Sequence, residues 1–287
     1  MTSAAAALWT TDPAPLLRLR PGDRLADRPT NASPGFEGDK KAGQAELDRA
    51  AGDLSERQER LFAASRTGAS RDRVLLVLQA MDTAGKGGIV RHVVGAVDPQ
   101  GVQLAAFKSP TPEELSHDFL WRIRRELPEP GMIGVFDRSH YEDVLIGRVR
   151  ALVPPEEIER RYAAINDFER ELVDDGVRII KVMLHLGKDE QRERLQERLD
   201  RPDKHWKFNP GDIDERALWE DYADAYQLVF DRTSTEAAPW YVVPADKKWY
   251  ARLAVQRLLV AALEEIDAQW PAADFNVEYE KQRLAAS

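Results

Sequence analysis

The chain has 287 residues, with 43% apolar and 32% charged residues, a globular balance. No uncharged apolar run approaches the roughly 20 residues a membrane-spanning helix needs, which excludes a helical membrane protein and leaves no membrane partner expected. Its 41 Lys+Arg against 50 Asp+Glu give a net charge of -9, which argues against general nucleic-acid binding, so any anionic ligand requires a local basic patch. The absence of cysteine rules out disulfides, thiolate metal sites and cysteine nucleophiles, and fits a reducing compartment.

The opening "MTSAAAALWTTDPAP" has an alanine run but no basic n-region, and its apolar part is too short for a secretory signal. It reads as a loose cytoplasmic tail. Residues 21–42, rich in Pro, Gly, Asp and Asn, extend it into an irregular arm over 1–42. A helix follows near 45–65, where Leu47, Ala51, Leu54, Leu61 and Phe62 keep helical spacing. That stripe fits packing on the core or on a partner subunit equally well.

From Arg73 onward short β-branched runs alternate with helical patterns. Strands are predicted over Val74–Gln79, Val102–Phe107, Met132–Asp137, Val177–Leu186 and Trp240–Val243, with helices over 86–97, 111–126, 154–174, 188–199, 212–232 and 247–266. Pro154-Pro155 and Asp212 after "NPG" are helix start signals. The alternation predicts an α/β domain over 43–275, a five-stranded parallel sheet covered by helices on both faces. Residues 276–287 read as a C-terminal tail.

The first strand runs into "AMDTAGKG", Ala80 to Gly87, in the register of the phosphate loop G-x-x-x-x-G-K-[ST]. Such a turn points successive backbone N–H groups at an anion, and its lysine reaches the terminal phosphates. Thr83, Ala84, Gly85, Lys86, Gly87 and Gly88 are the phosphate-binding candidates. Two letters differ: Ala80 replaces the first glycine, and Gly87 replaces the hydroxyl residue that normally ligates magnesium. Asp82 sits inside the loop, where a carboxylate beside phosphate is repelled unless a cation or a proton lies between them. The bland alternative is an ordinary Gly-rich strand-to-helix turn.

"GMIGVFDRSHYEDV" is an apolar strand ending in Asp137-Arg138, a Walker B pattern. An aspartate there points into the crevice where doubly wound sheets bind ligands. Asp82 and Asp137 then form an oxygen pair for Mg²⁺ or Mn²⁺, and Arg138 faces the transferred group. A helix cap and a surface ion pair are the alternatives for Asp137 and Arg138.

"RERLQERLDRPDKHWKFNPGD" places Arg194, Arg198 and Arg201 at i, i+4 and i+7 on one helix face, followed by Pro202 and an irregular basic segment with Lys204 and Lys207. This reads as a lid over about 188–212 closing on a polyanion. The competing reading is a solvated helix, because Glu190–Arg194 and Glu197–Arg201 are also i,i+4 pairs. None of the five histidines has metal-ligand spacing.

With "MDTAGKGG", "FDRSHYEDV", "RPDKHWKFNPGD" and "APWYVVPADKKWYAR" in that order, the chain resembles the family-2 polyphosphate kinases over about residues 40 to 275. The resemblance implies a P-loop kinase fold with a helical lid. It implies transfer of phosphate from inorganic polyphosphate to a nucleotide, AMP or ADP or their guanine equivalents, yielding ATP or the corresponding product and running in reverse. It is most like the subgroup acting on both nucleoside mono- and diphosphates. By similarity Asp82, Lys86, Asp137, Arg138 and Arg198 carry catalysis, Arg201, Lys204 and Lys207 bind phosphate, and Phe107, Lys108 and Tyr141 contact the nucleotide. A homo-oligomer, dimer or tetramer, is also expected. The rival readings are an ATP-dependent small-molecule or nucleoside monophosphate kinase and a non-catalytic nucleotide-binding module.

Overall fold

The computed structural model describes residues 8–287; the part of the loose-tail reading that covers residues 1–7 lies outside them. Five strands form one parallel sheet: β1 (Arg73–Gln79), β2 (Val102–Ala106), β3 (Ile133–Asp137), β4 (Val177–His185) and β5 (Trp240–Pro244), in the order β2-β3-β1-β4-β5. All five were predicted within two residues at each end, because strands buried on both faces read as short apolar runs. β1 is buried along its whole length.

The period-two alternation of β1 divides the core. Val74, Leu76 and Leu78 enter one apolar cluster and Leu75 and Val77 the other. In chain order the helices are α1 (Ala14–Leu17), α2 (Lys40–Arg66), α3 (Lys86–His92), α4 (Pro112–Leu115), α5 (Trp121–Arg125), α6 (Glu142–Val149), α7 (Pro155–Asp174), α8 (Lys188–Asp200), α9 (Gly211–Ala217), α10 (Trp219–Thr233), α11 (Lys248–Ile266) and α12 (Val277–Ala285). α2, α3 and α11 cover the Leu76 face, and α6, α7 and α10 the Leu75 face. The stripe of α2 is satisfied within the chain: it packs along α11, with Leu54 and Leu61 at 0% exposure and Gln256 Nε2 donating to Leu47 O at 3.0 Å. Gly43 permits this approach, since a Cβ there would meet the Trp249 ring at 2.2 Å.

Several expectations are corrected. The arm is not loose from Trp9 onward: Trp9 bridges to Phe36, α1 forms, and Leu17, Leu19, Leu25 and Phe36 are buried against the domain. The helix expected over 111–126 is two, because Thr111 and Glu114 close a capping box on α4 and Asp118 Oδ1 takes the Leu120 N–H at 3.0 Å between them. The helix expected over 212–232 divides at Leu218. The helix expected over 86–97 stops at His92, and a 3₁₀ turn over Val94–Ala96 completes the span. α6 was not anticipated, and the tail is helical over α12, capped by the Asn276 side chain.

Candidate active site

β1 and β3 are neighbours in the middle of the sheet, so the loops leaving their C-terminal ends meet. The first is Ala80–Gly85. Gly85 has φ 117°, a conformation that glycine supplies without strain, and its carbonyl accepts from the N–H groups of Gly88 (2.8 Å) and Ile89 (3.2 Å). Thr83 is left-handed at φ 66°, which is rare for a β-branched residue. Because α3 has only seven residues, the local N–H groups rather than a long helix dipole define this concavity. Among the described residues, Lys86 has no ion-pair partner.

The second loop begins at Asp137. Arg138 also takes a left-handed backbone, φ 65°, and its N–H donates to Leu78 O at 3.1 Å, tying it to β1. That turn aims its guanidinium at Asp82, 3.2 Å away. Burial opposes its charge, but Glu142, Asp82 and Asp137 around it prevail and lift its pKa further. Glu142, at the first turn of α6, is held by the Gln79 amide: the nitrogen donates to Glu142 Oε1 at 2.9 Å and the oxygen accepts from Ser139 N–H at 3.1 Å. Burial raises the Glu142 pKa, although Arg138 and Lys86 pull the other way. Asp212, from α9, is raised by burial and by the Asp82 charge, against Arg198, Arg138 and Lys86. Four carboxylates (Asp82, Asp137, Glu142 and Asp212) and three cations (Lys86, Arg138 and Arg198) therefore lie close together, and two of the carboxylates, Glu142 and Asp212, were not singled out from the sequence as site residues. Their signals were present, since both lie inside quoted motifs, but nothing local shows that a loop aspartate and an α9 aspartate converge.

A cavity of about 330 Å³ opens beside these groups, with Asp82, Arg138 and Glu142 on one wall and Asp212, Trp219 and Tyr222 on the other. A larger groove, about 570 Å³, runs between the N-terminal arm, α2 and α11, away from this chemistry.

The lid residues divide. The segment expected to be irregular is a 3₁₀ helix over Pro202–Lys207, and Arg198 donates to Asp212 (3.1 Å) and to Lys207 O (3.0 Å), holding it against α8. Arg201 is exposed and paired with Glu197 and Asp203, as the solvated-helix alternative foresaw. Lys204 is half-buried and Lys207 exposed, its ammonium 4.8 Å from the Trp206 ring centre. Arg194 differs in what packs against it: it is buried against the phosphate loop and is no open anion contact.

The nucleotide contacts expected from the resemblance are corrected in part. Tyr141 has no exposure; its hydroxyl donates to Glu169 (2.6 Å) and accepts from Lys181 Nζ (3.0 Å) in a buried network. A phenol is apolar enough to serve the core, and at the N-terminal cap of α6 Tyr141 joins the same buried cluster as Val144 and Leu145 of that helix. Phe107 packs edge-on against Phe136 in the core, ring centres 4.9 Å apart, and of the three expected contacts only Lys108 is exposed.

The family model for polyphosphate kinase 2 matches residues 37–271. The chain belongs to the polyphosphate kinase 2 family. It is 48% identical over 236 residues to an AMP/ADP-polyphosphate phosphotransferase of Meiothermus ruber, covering 82% of this chain and 86% of that one. It is 46% identical over 230 residues to an ADP-polyphosphate phosphotransferase of Rhodopseudomonas palustris, covering 76% and 78% respectively. Among solved structures, a polyphosphate kinase 2 from Arthrobacter aurescens TC1 superposes with a TM-score of 0.96 at 57% identity, over 99% of this chain and 100% of that one. The parallel sheet, the loop and the lid accordingly belong to a P-loop kinase fold.

Proposed function

We propose that this family member transfers the terminal phosphate of inorganic polyphosphate to ADP and AMP, and runs in reverse. The observation that carries the reading is the meeting of the Ala80–Gly85 loop, Lys86, which has no ion-pair partner among the described residues, and the Asp82–Arg138 pair beside a cavity walled by α9 and α10. In the forward reaction an oxygen of the acceptor's terminal phosphate attacks the donor's terminal phosphorus, and the bridging P–O bond to the shortened donor breaks. The site's work is positioning and charge stabilisation. Lys86 and the loop N–H groups hold phosphate oxygens, and Arg138 faces the oxygens of the transferred group. The rings of Trp219 and Tyr222 on the far wall offer the aromatic surface a nucleoside stacks on, so the nucleoside end of the acceptor lies toward them.

Asp82 and Asp137 supply the hard oxygen donors that Mg²⁺ or Mn²⁺ takes, and a cation bound there would offset phosphate charge. Among the described residues no three carboxylates or imidazoles are already drawn into a cage. Gly87, standing where a P-loop NTPase carries its magnesium-ligating hydroxyl, disfavours an ATP-consuming kinase.

The test is ATP formation from ADP and polyphosphate, with ATP-only and no-donor controls and with AMP and GDP as further acceptors. Polyphosphate-dependent ATP is expected. Phosphorylation of a small molecule only when ATP is the donor would instead establish the rival kinase.

A further inference from the structure

Three consecutive carbonyls of the phosphate loop are held by side chains of α8. Gln191 Nε2 donates to Asp82 O at 3.0 Å. Arg194 Nη1 donates to Thr83 O (3.2 Å) and Ala84 O (3.0 Å), and its Nη2 to Ala245 O (2.6 Å) and Asp246 O (3.0 Å) across the loop after β5. Its Nε meets Glu190 at 2.6 Å. Every nitrogen of this guanidinium is engaged, and the side chain is 5% exposed, as is fitting for a planar donor fork used as a structural clamp.

Peptide planarity converts this clamp into an anion site. In a trans peptide the carbonyl of one residue and the N–H of the next point in opposite directions. Turning the Asp82 and Ala84 carbonyls toward α8 therefore turns the Thr83 and Gly85 N–H groups away from it. Among the described residues neither N–H has a protein acceptor. The Ala84 N–H alone is spent locally, on Met81 O at 3.3 Å. Without the clamp a peptide flip would point a carbonyl dipole at the phosphate oxygens. The left-handed Thr83 backbone shows that the loop is held away from its relaxed conformation.

We propose that Arg194, assisted by Gln191, is a positioning residue that keeps the loop's N–H groups open to phosphate before substrate arrives. It also couples the loop to α8, the helix from which the lid segment departs. The inference rests on the loop being the phosphate site proposed above.

The experiment uses the full chain and inorganic tripolyphosphate as probe, with calorimetric affinity, steady-state KM and kcat, and amide exchange over residues 82–88. Arg194→Lys keeps the charge but cannot span four carbonyls. We expect about tenfold weaker tripolyphosphate binding, equivalent to about 1.4 kcal/mol, with a raised donor KM and faster loop exchange. Gln191→Leu should shift all three in the same direction by less, and it decides the matter if Arg194→Lys does not fold. Leu54→Ala, in the α2–α11 core, should melt earlier yet bind the probe as the wild type does. Wild-type affinity and exchange in a folded Arg194→Lys or Gln191→Leu protein would overturn the inference. If Lys86→Ala loses the probe while those variants keep it, only this inference falls; if Lys86→Ala also keeps it, the loop assignment falls first.

Discussion

Arg138 stands at the centre of the residue-scale chemistry, because its left-handed backbone and its bond to Asp82 place one cation among four carboxylates. Lys86, without an ion-pair partner among the described residues, is a second cation beside the loop. Replacing Lys86 by Ala should lower kcat on the order of a hundredfold or more with the melting temperature unchanged, since it serves phosphate and not the core. Asp82→Asn and Asp137→Asn should each reduce the rate and raise the Mg²⁺ concentration needed for half-maximal activity, read from ATP formation against Mg²⁺ titration. Glu142 gives a pH test. Its folded pKa lies above the ordinary 4.5 because of burial, so its proton is bound more tightly in the folded chain. That stabilises the fold below pH 4.5, and the contribution is lost as pH rises through the folded value. Glu142→Gln has no charge to bury, so its melting temperature should exceed the wild type's by a margin that widens as pH climbs from 4.5 to 7. A constant margin would reject burial as the cause.

At the scale of elements, the lid is where charge patterning and geometry part. α8 carries the clamp on the loop and ends one residue before the exposed Arg201, whose backbone is already extended, so the two arginines do different work although helical spacing in the sequence places them near one face. Arg201→Ala should leave donor KM nearly unchanged, because Glu197 and Asp203 already hold its guanidinium in solvent, and exposed pairs are worth about 0.2 to 1 kcal/mol. Arg198, Lys204 and Lys207 remain the lid cations with a claim on a polyanion. Neutralising Arg198, Arg201 and Lys204 together should raise the polyphosphate KM, more at low salt than at high, with a smaller change in nucleotide KM. Steady-state kinetics at two ionic strengths separates this from a solvated helix, for which neither KM moves.

For the whole molecule, the two sheet faces are locked by different means. The α2–α11 face is mainly apolar, with the buried Gln256 amide bonded to the α2 backbone within it. The opposite face encloses a charged network in which Lys181, wholly buried, donates to Glu169 (2.6 Å), Tyr141 (3.0 Å) and Thr233 O (2.7 Å). Burial disfavours the Lys181 ammonium and lowers its pKa, while burial of Glu169 is outweighed by Lys181 and His140, which hold its carboxyl down. The network joins β4, α7, the end of α10 and the turn carrying Arg138. Lys181→Met leaves Glu169 buried without its partner and should cost about 3 to 5 kcal/mol, measured by denaturant unfolding. Lys181→Met with Glu169→Leu should recover much of that loss.

The amino-acid sequence determined the strands, the parallel sheet, the phosphate loop and the Asp137-Arg138 turn, because each is a local signal: a buried apolar run, a glycine where φ is positive, an acid at a strand end. It also carried the family, through four motifs in order. Only the tertiary structure decided what distant residues share. It brought Glu142 and Asp212 to Asp82, buried Tyr141 with Lys181, packed α2 on α11, and turned Arg194 from a presumed anion contact into a clamp on the loop's carbonyls. Helical periodicity reports which side chains lie on one face, but whether a cation there meets solvent, a carboxylate or a backbone carbonyl depends on what packs against that face.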